Sequence, residues 1–177
     1  MSTKLSVTSL ILICILLILS TSAWGRSIIT GQVVDAETGK PIKGAAVHIY
    51  WGKPGSGPPG LAASSVEVEV AEVLTDTEGF FKIPKYSTLF KHYDMAVYKK
   101  GYVCWSSEKI FPTWEDRKNF KLKNGMVIKP ERFKEGYSRE DHGRFTVFMS
   151  TSRNAPGLFD NAIKLERLLF RKMMRSK

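Results

Sequence analysis

From Ile28 to Leu122 apolar residues recur at every second position, and no other feature constrains the chain as tightly. Ile29, Gly31 and Val33 alternate with Thr30 and Gln32, and Ala45, Val47, Ile49 and Trp51 alternate with Ala46, His48 and Tyr50. Successive side chains of a strand point to opposite faces, so a period of two marks half-buried strands and does not fit a helix. Val66-Glu-Val-Glu-Val70 is the cleanest instance. Phe81 and Ile83, Met95 to Tyr98, Tyr102 to Ser106 and Asn119 to Leu122 add further short strands. The turns between them, Asp35-Ala-Glu-Thr-Gly39, Asp76-Thr-Glu-Gly79 and Lys99-Lys-Gly101, each end on a glycine able to take positive φ. About seven short strands punctuated in this way predict an antiparallel β-sandwich.

One stretch breaks the pattern. Gly52-Lys-Pro-Gly-Ser-Gly-Pro-Pro-Gly60 holds four Gly and three Pro in nine residues, which excludes a helix or a central strand and predicts an exposed loop.

The string Ile29-Thr-Gly-Gln-Val-Val-Asp35-Ala-Glu-Thr-Gly39-Lys-Pro-Ile42-Lys-Gly44-Ala-Ala-Val47 resembles the opening of a carboxypeptidase regulatory-like domain. Thr75-Asp-Thr-Glu-Gly79-Phe-Phe81 and Val97-Tyr-Lys-Lys-Gly101-Tyr102 are similar to that family's later blocks and follow in order. The resemblance covers residues 27–110. It implies a seven-stranded transthyretin-like (prealbumin-like) sandwich, a non-catalytic appendage in metallocarboxypeptidases and in exported bacterial proteins. Physics accounts for the same blocks: Thr38-Gly39-Lys40-Pro41 makes a tight turn, and Phe80-Phe81 is expected to fill the space between sheets. The Gly/Pro stretch and everything past residue 125 depart from the family.

Residues 1–25 carry Lys4, an apolar run from Leu10 to Leu19, and Ala23 and Gly25 at the −3 and −1 positions before Arg26. This is the pattern of an export signal, with cleavage expected after Gly25 and Ala23 as the alternative; the rival, a retained membrane anchor, needs a longer apolar run than this one. The mature chain is then periplasmic or secreted. Cys14 leaves with the signal, and Cys104, in a strand-like Tyr-Val-Cys-Trp context, is expected to be a buried small hydrophobe without a disulfide partner. Three segments follow: 1–25 as signal, 26–124 as sandwich, 125–177 as a basic, largely helical extension.

The chain has 27 basic and 17 acidic side chains, a net charge of +10, and a pI near 9.6. Such a balance invites nucleic-acid binding, but export and the lack of aromatic–basic interleaving argue against it. The charge is also unevenly placed. Residues 26–108 hold nine basic and nine acidic side chains, whereas 109–177 hold seventeen and eight, a net +9. In that segment Ser138-Arg-Glu-Asp141 resembles a capping box ahead of Phe145, Phe148 and Met149 at helical spacing, and Asn154-Ala-Pro-Gly157 breaks the chain. Asp160 to Met174 is predicted as an amphipathic helix. Ala162, Leu165, Leu169 and Met173 anchor its apolar face, widened by Ile163, Leu168 and Phe170, with Lys164, Arg167, Arg171 and Arg175 as a basic ridge. The apolar face is expected to dock on the same protein and leave the ridge in solvent. Lying on anionic lipid, or pairing with a partner helix, are the alternatives.

Catalytic chemistry is not apparent. His-Glu-x-x-His, Cys-x-x-Cys and Gly-x-Ser-x-Gly are all missing. His48 is expected on a strand face at the rim, His92 in a loop, and His142 with Glu140 and Asp141 in the first turn of a helix. Hydroxyisourate hydrolases share the transthyretin-like sandwich but are marked by a Tyr-Arg-Gly-Ser C-terminus and an early His, which this chain, ending Met-Met-Arg-Ser-Lys177, does not have. The expectation is therefore a non-enzyme without cofactor or metal. It would serve as an interaction or structural module of the cell envelope, with an unknown protein or glycan partner. Two alternatives are kept. One is sugar binding through Trp51, Trp105 and Trp114, as in a starch-binding-like relative; the other is binding of an anionic membrane or acidic glycan through Lys164, Arg167, Arg171 and Arg175.

Overall fold

The computed structural model describes residues 28–53, 66–85, 92–149 and 157–175. The expected export signal and residues 54–60 of the Gly/Pro stretch lie outside the described residues. The strands are β1 (Ile28–Val33), β2 (Ala46–Lys53), β3 (Val66–Leu74), β4 (Phe80–Pro84), β5 (His92–Tyr98), β6 (Trp105–Ser106), β7 (Lys109–Ile110), β8 (Glu115–Asp116) and β9 (Met126–Ile128). The helices are α1 (Arg139–Met149), α2 (Leu158–Ala162) and α3 (Lys164–Arg175).

A three-stranded sheet, in the order β4-β1-β9, faces a four-stranded sheet, β3-β2-β5-β6, and β7-β8 form a separate ribbon. The sandwich follows from the alternation. Ile29, Val33, Phe81, Ile83, Met126 and Ile128 of the first sheet meet Val47, Ile49, Trp51, Met95 and Val97 of the second in one buried core. The turn glycines do what the sequence requires of them, with φ of 69° at Gly39, 74° at Gly79 and 91° at Gly101. Phe80 corrects the expectation for its pair: strand alternation turns Phe81 inward and leaves Phe80 half exposed.

Other expectations change at the C-terminal end. Asn119 to Leu122 forms no strand, although Phe120 and Leu122 still pack on the core and the Leu122 N–H donates to the Tyr93 hydroxyl at 3.0 Å. The strand expected at Tyr102 to Ser106 shrinks to two residues, with Tyr102 in an isolated bridge to Arg132. Met126–Ile128, which lies past the expected sandwich boundary, adds to β1 in parallel, Gly31 opposite Met126 and Val33 opposite Ile128. Three residues give too short an alternation to read as a strand, and the pairing departs from a purely antiparallel sandwich.

Asp35 ties this late segment to the first turn. One carboxylate oxygen accepts the amides of Glu37 and Thr38, and the other accepts the Tyr102 hydroxyl at 2.9 Å and Arg132 Nε at 2.7 Å. The Thr38 amide foremost, with Tyr102, the Glu37 amide and Arg132, holds the Asp35 carboxyl far below the usual carboxylate range against the upward push of burial. A depressed folded-state pKa means that the folded chain favours the ionised form, so the stabilisation is complete above about pH 5 and fades as pH falls through 4 and below. Asp35→Asn should therefore be less stable than the native chain at pH 7 in a urea titration, and the gap should close as the pH approaches 2.

The other face of the four-stranded sheet is also covered. Ala46, Ala96 and Tyr98, with Val103, Cys104 and Phe111, form a second core against Phe145, Met149, Phe159 and Ile163 from the helical segment. The result is three layers: sheet, sheet and helices. Ser138 caps helix α1, its Oγ accepting the Asp141 amide at 3.1 Å, as the capping pattern predicts. Gly143 lets α1 and α3 touch, since a Cβ there would sit 2.8 Å from the Glu166 carbonyl oxygen.

Candidate functional site

The outward face of β2 and β5 carries a row of polar side chains, and the helical layer covers most of it. Strand alternation puts Ala46, His48 and Tyr50 of β2 on this face, with Tyr98, Ala96 and Asp94 opposite them on β5.

His48, expected at the rim, is buried. Its Nδ1 lies 3.0 Å from Glu72 Oε1 on β3, and its ring packs 5.3 Å from that of Phe159 on α2. The second Glu72 oxygen accepts the Phe159 amide at 3.4 Å, so one carboxylate joins sheet and helix.

A second cluster joins α1, α3 and β5 at His142, Glu166 and Tyr98. The Tyr98 hydroxyl donates to Glu166 Oε1 at 2.9 Å, and His142 Nδ1 lies 3.3 Å from Glu166 Oε2. The Cys104 amide donates to His142 Nε2 at 2.9 Å, which leaves the ring proton on Nδ1, facing the carboxylate. Burial pushes the Glu166 carboxyl up, but the contact with His142 and the Tyr98 hydroxyl outweigh it and the carboxyl titrates below its ordinary range. The same burial, with Glu166 beside it, drives the Tyr98 phenol far above its usual value.

Thr146 Oγ1 lies 3.4 Å from His142 Nε2, so hydroxyl, imidazole and carboxylate stand in the chemical order of a catalytic triad. The geometry does not serve that chemistry. His142 Nε2 is already engaged by a backbone amide, and Thr146, His142 and Glu166 are each at most 1% exposed. Cys104 is no nucleophile either: burial pushes its thiol up to about 12. These residues hold the helical layer to the sheet. No local pattern signals the cluster, because Glu166 lies within an otherwise apolar helix face and its partners are remote in the chain.

At the uncovered end of the row the Tyr50 hydroxyl donates to Asp94, and His92 meets the Tyr50 ring edge-on at 5.8 Å. His92, expected in a loop, is the first residue of β5. Partial burial, then the nearby Asp94, raises the Glu108 carboxyl.

The three tryptophans singled out for sugar stacking do not share a surface. Trp51 is 0% exposed in the inter-sheet core, which removes it as a binding residue. Trp105 is half-buried, with Phe120 against its edge and the Arg117 guanidinium 4.7 Å over its face. Trp114, at φ 62°, packs edge-on against Phe145 and Phe148 with Arg144 near its ring.

The helix α3 docks on part of the face expected, rotated so that Leu165 and Leu168 are left out. Glu166 is its most buried residue, with Leu169, Phe170 and Met173 partly buried alongside, while Leu165 and Leu168 stand in solvent. The close crossing at Gly143 and the reach of Glu166 to His142 and Tyr98 fix this rotation. Of the basic ridge, Arg167 is half-buried and bonded to Asp160, and Lys164, Arg171 and Arg175 are exposed. Asp160, Asn161, Lys164, Arg167, Leu168 and Arg171 line an open depression of about 250 Å³. Among the described residues no helix is long and apolar enough to cross a membrane.

Fold and site together define a mainly β chain, two facing sheets with a helical layer, whose last helix presents exposed basic side chains. No family model matches the chain, and no curated protein matches it. Among solved structures, a streptococcal ancillary pilin aligns over 62% of this chain and 30% of its own, at 15% identity and a TM-score of 0.33. The 3-chlorocatechol 1,2-dioxygenase of Rhodococcus opacus aligns over 60% of this chain and 59% of its own, at 14% identity and a TM-score of 0.35. The C-terminal domain of the shaft pilin SpaA from Lactobacillus rhamnosus GG aligns over 60% and 97%, at 15% identity and a TM-score of 0.34. The chain thus spans less than two thirds of the first two. Likeness at these scores says nothing of a shared function.

Proposed function

We propose that this chain is a non-catalytic, exported module of the cell envelope, of the carboxypeptidase regulatory-like kind, that acts by surface contact. One observation carries the reading. The buried His–Glu pairs and the Cys104 backbone amide are spent on joining helices to sheet, whereas Lys164, Arg171, Lys172 and Arg175 make no ion pair among the described residues. Chemistry is turned inward and charge is turned outward. The motifs at Ile29 to Val47, Thr75 to Phe81 and Val97 to Tyr102 support the family, and the segment before Arg26 supports export.

Expression of the full chain in a bacterial host should release a product from the exported fraction whose N-terminal sequence starts at Arg26. A product that stays in the cytoplasm with residues 1–25 intact overturns the envelope assignment. Turnover of any ester, amide or glycoside by the purified product, lost on Thr146→Val, overturns the non-catalytic one.

A further inference from the structure

We infer that the outward face of α3 seats the protein on an anionic phospholipid surface, an assignment that rests on the surface-contact reading. At 100° per residue, Arg171, Lys164, Arg175, Leu168, Lys172 and Leu165 fall in one arc of about 120°. All six are exposed, and the opposite arc, through Glu166, Phe170 and Met173, is turned to the protein. Leu168 is 53% exposed and Leu165 44%, so Leu168 projects between long cations and Leu165 beside them at the edge of the arc.

The acidic groups of α2 and α3 do not offset that charge. Glu166 is buried against His142 and Tyr98, and Asp160 is bonded to Arg167. Four cations therefore face outward. A protein partner of ordinary size needs a broad apolar centre within roughly 800 Å² on each side, and Leu165 and Leu168, the two apolar side chains of this arc, do not supply one; Phe148, Leu158 and Met174, also exposed, lie outside it. A lipid headgroup layer asks for something different. Lys and Arg meet its phosphates while their methylene stems, with Leu165 and Leu168, reach the acyl boundary. The net +9 of residues 109–177, against a neutral 26–108, also orients approach toward a negative surface.

Each basic side chain near an anionic bilayer is worth about fivefold in partition at low salt. The test is sedimentation of the exported product with vesicles of phosphatidylglycerol and phosphatidylcholine, and with phosphatidylcholine alone. The native chain should pellet with the anionic vesicles only, and high salt should release it. Lys164→Gln/Arg171→Gln/Arg175→Gln should weaken partition about 100-fold, with an unchanged urea midpoint, since all three side chains are exposed. Lys40→Gln/Lys43→Gln/Lys82→Gln on the sandwich should leave partition within a few-fold of native. Equal losses for the two triple variants, or equal binding to both kinds of vesicle, overturn the inference. So does capture of an envelope protein through α3 by a chain that ignores anionic vesicles, although the surface-contact reading then stands. A chain retained in the cytoplasm removes that reading whatever the vesicles do.

Discussion

Glu166→Ala should lower the unfolding free energy by about 3–5 kcal/mol in urea titrations, more than any exposed substitution on α3. The size follows from where Glu166 sits. It is 1% exposed, accepts the Tyr98 hydroxyl, and faces the His142 ring proton at 3.3 Å, so its loss leaves the buried hydroxyl without an acceptor and the buried imidazole without its carboxylate. Tyr98→Phe removes one of these bonds and keeps the carboxylate, and should cost about 2 kcal/mol. The two residues touch, so the double variant should fall short of the sum. The pH dependence has a definite sign. The folded-state carboxyl titrates below its unfolded value, so its contribution is present above about pH 5, begins to fade near the unfolded carboxyl range of about 4, and is lost as pH falls on through the lower folded-state value. If Glu166→Ala instead leaves the midpoint unchanged, the cluster does not hold the helical layer.

Trp51→Ala should cost about 3–5 kcal/mol, because it empties a fully buried indole site between the sheets. This result separates two roles that alternation alone leaves side by side. A sugar-stacking tryptophan can be truncated with little loss of stability and a clear loss of ligand, whereas Trp51 should show the reverse. Retention on a starch or cellulose gel that depends on Trp51 in a still-folded variant would contradict its place in the core.

The alternation of Val47, Ile49 and Trp51 is enough to place the inter-sheet core, because one strand face there is uniformly apolar. The opposite face is harder to read. Ala46, His48 and Tyr50 suit a solvated rim as well as a covered surface, and only the helices, about a hundred residues later, make it a second interior. Helix α3 is legible as amphipathic but not in its rotation. Hydropathy favours Leu165 for burial, and a charged Glu166 gains the buried position only through His142 and Tyr98, whose proximity no local pattern encodes. Trp105 and Trp114 cannot be assigned from alternation because both sit where strands shorten into irregular backbone. The signals that do transfer, the turn glycines and the Ser138 cap, are those whose physics is confined to a few neighbouring residues.

The parallel pairing of β9 with β1 has a kinetic consequence. Gly31 to Val33 belong to the first of the described strands to emerge during synthesis, yet their neighbours on one side, Met126 to Ile128, follow only after the other described strands have been made. Until then β1 has an open edge, and closing it brings together chain segments that are far apart in sequence. Contacts of that separation slow folding toward the millisecond-to-second range of β-sandwiches. The first sheet is thus completed last, and a ribosome-bound chain stopped before Met126 should remain sensitive to protease across β1.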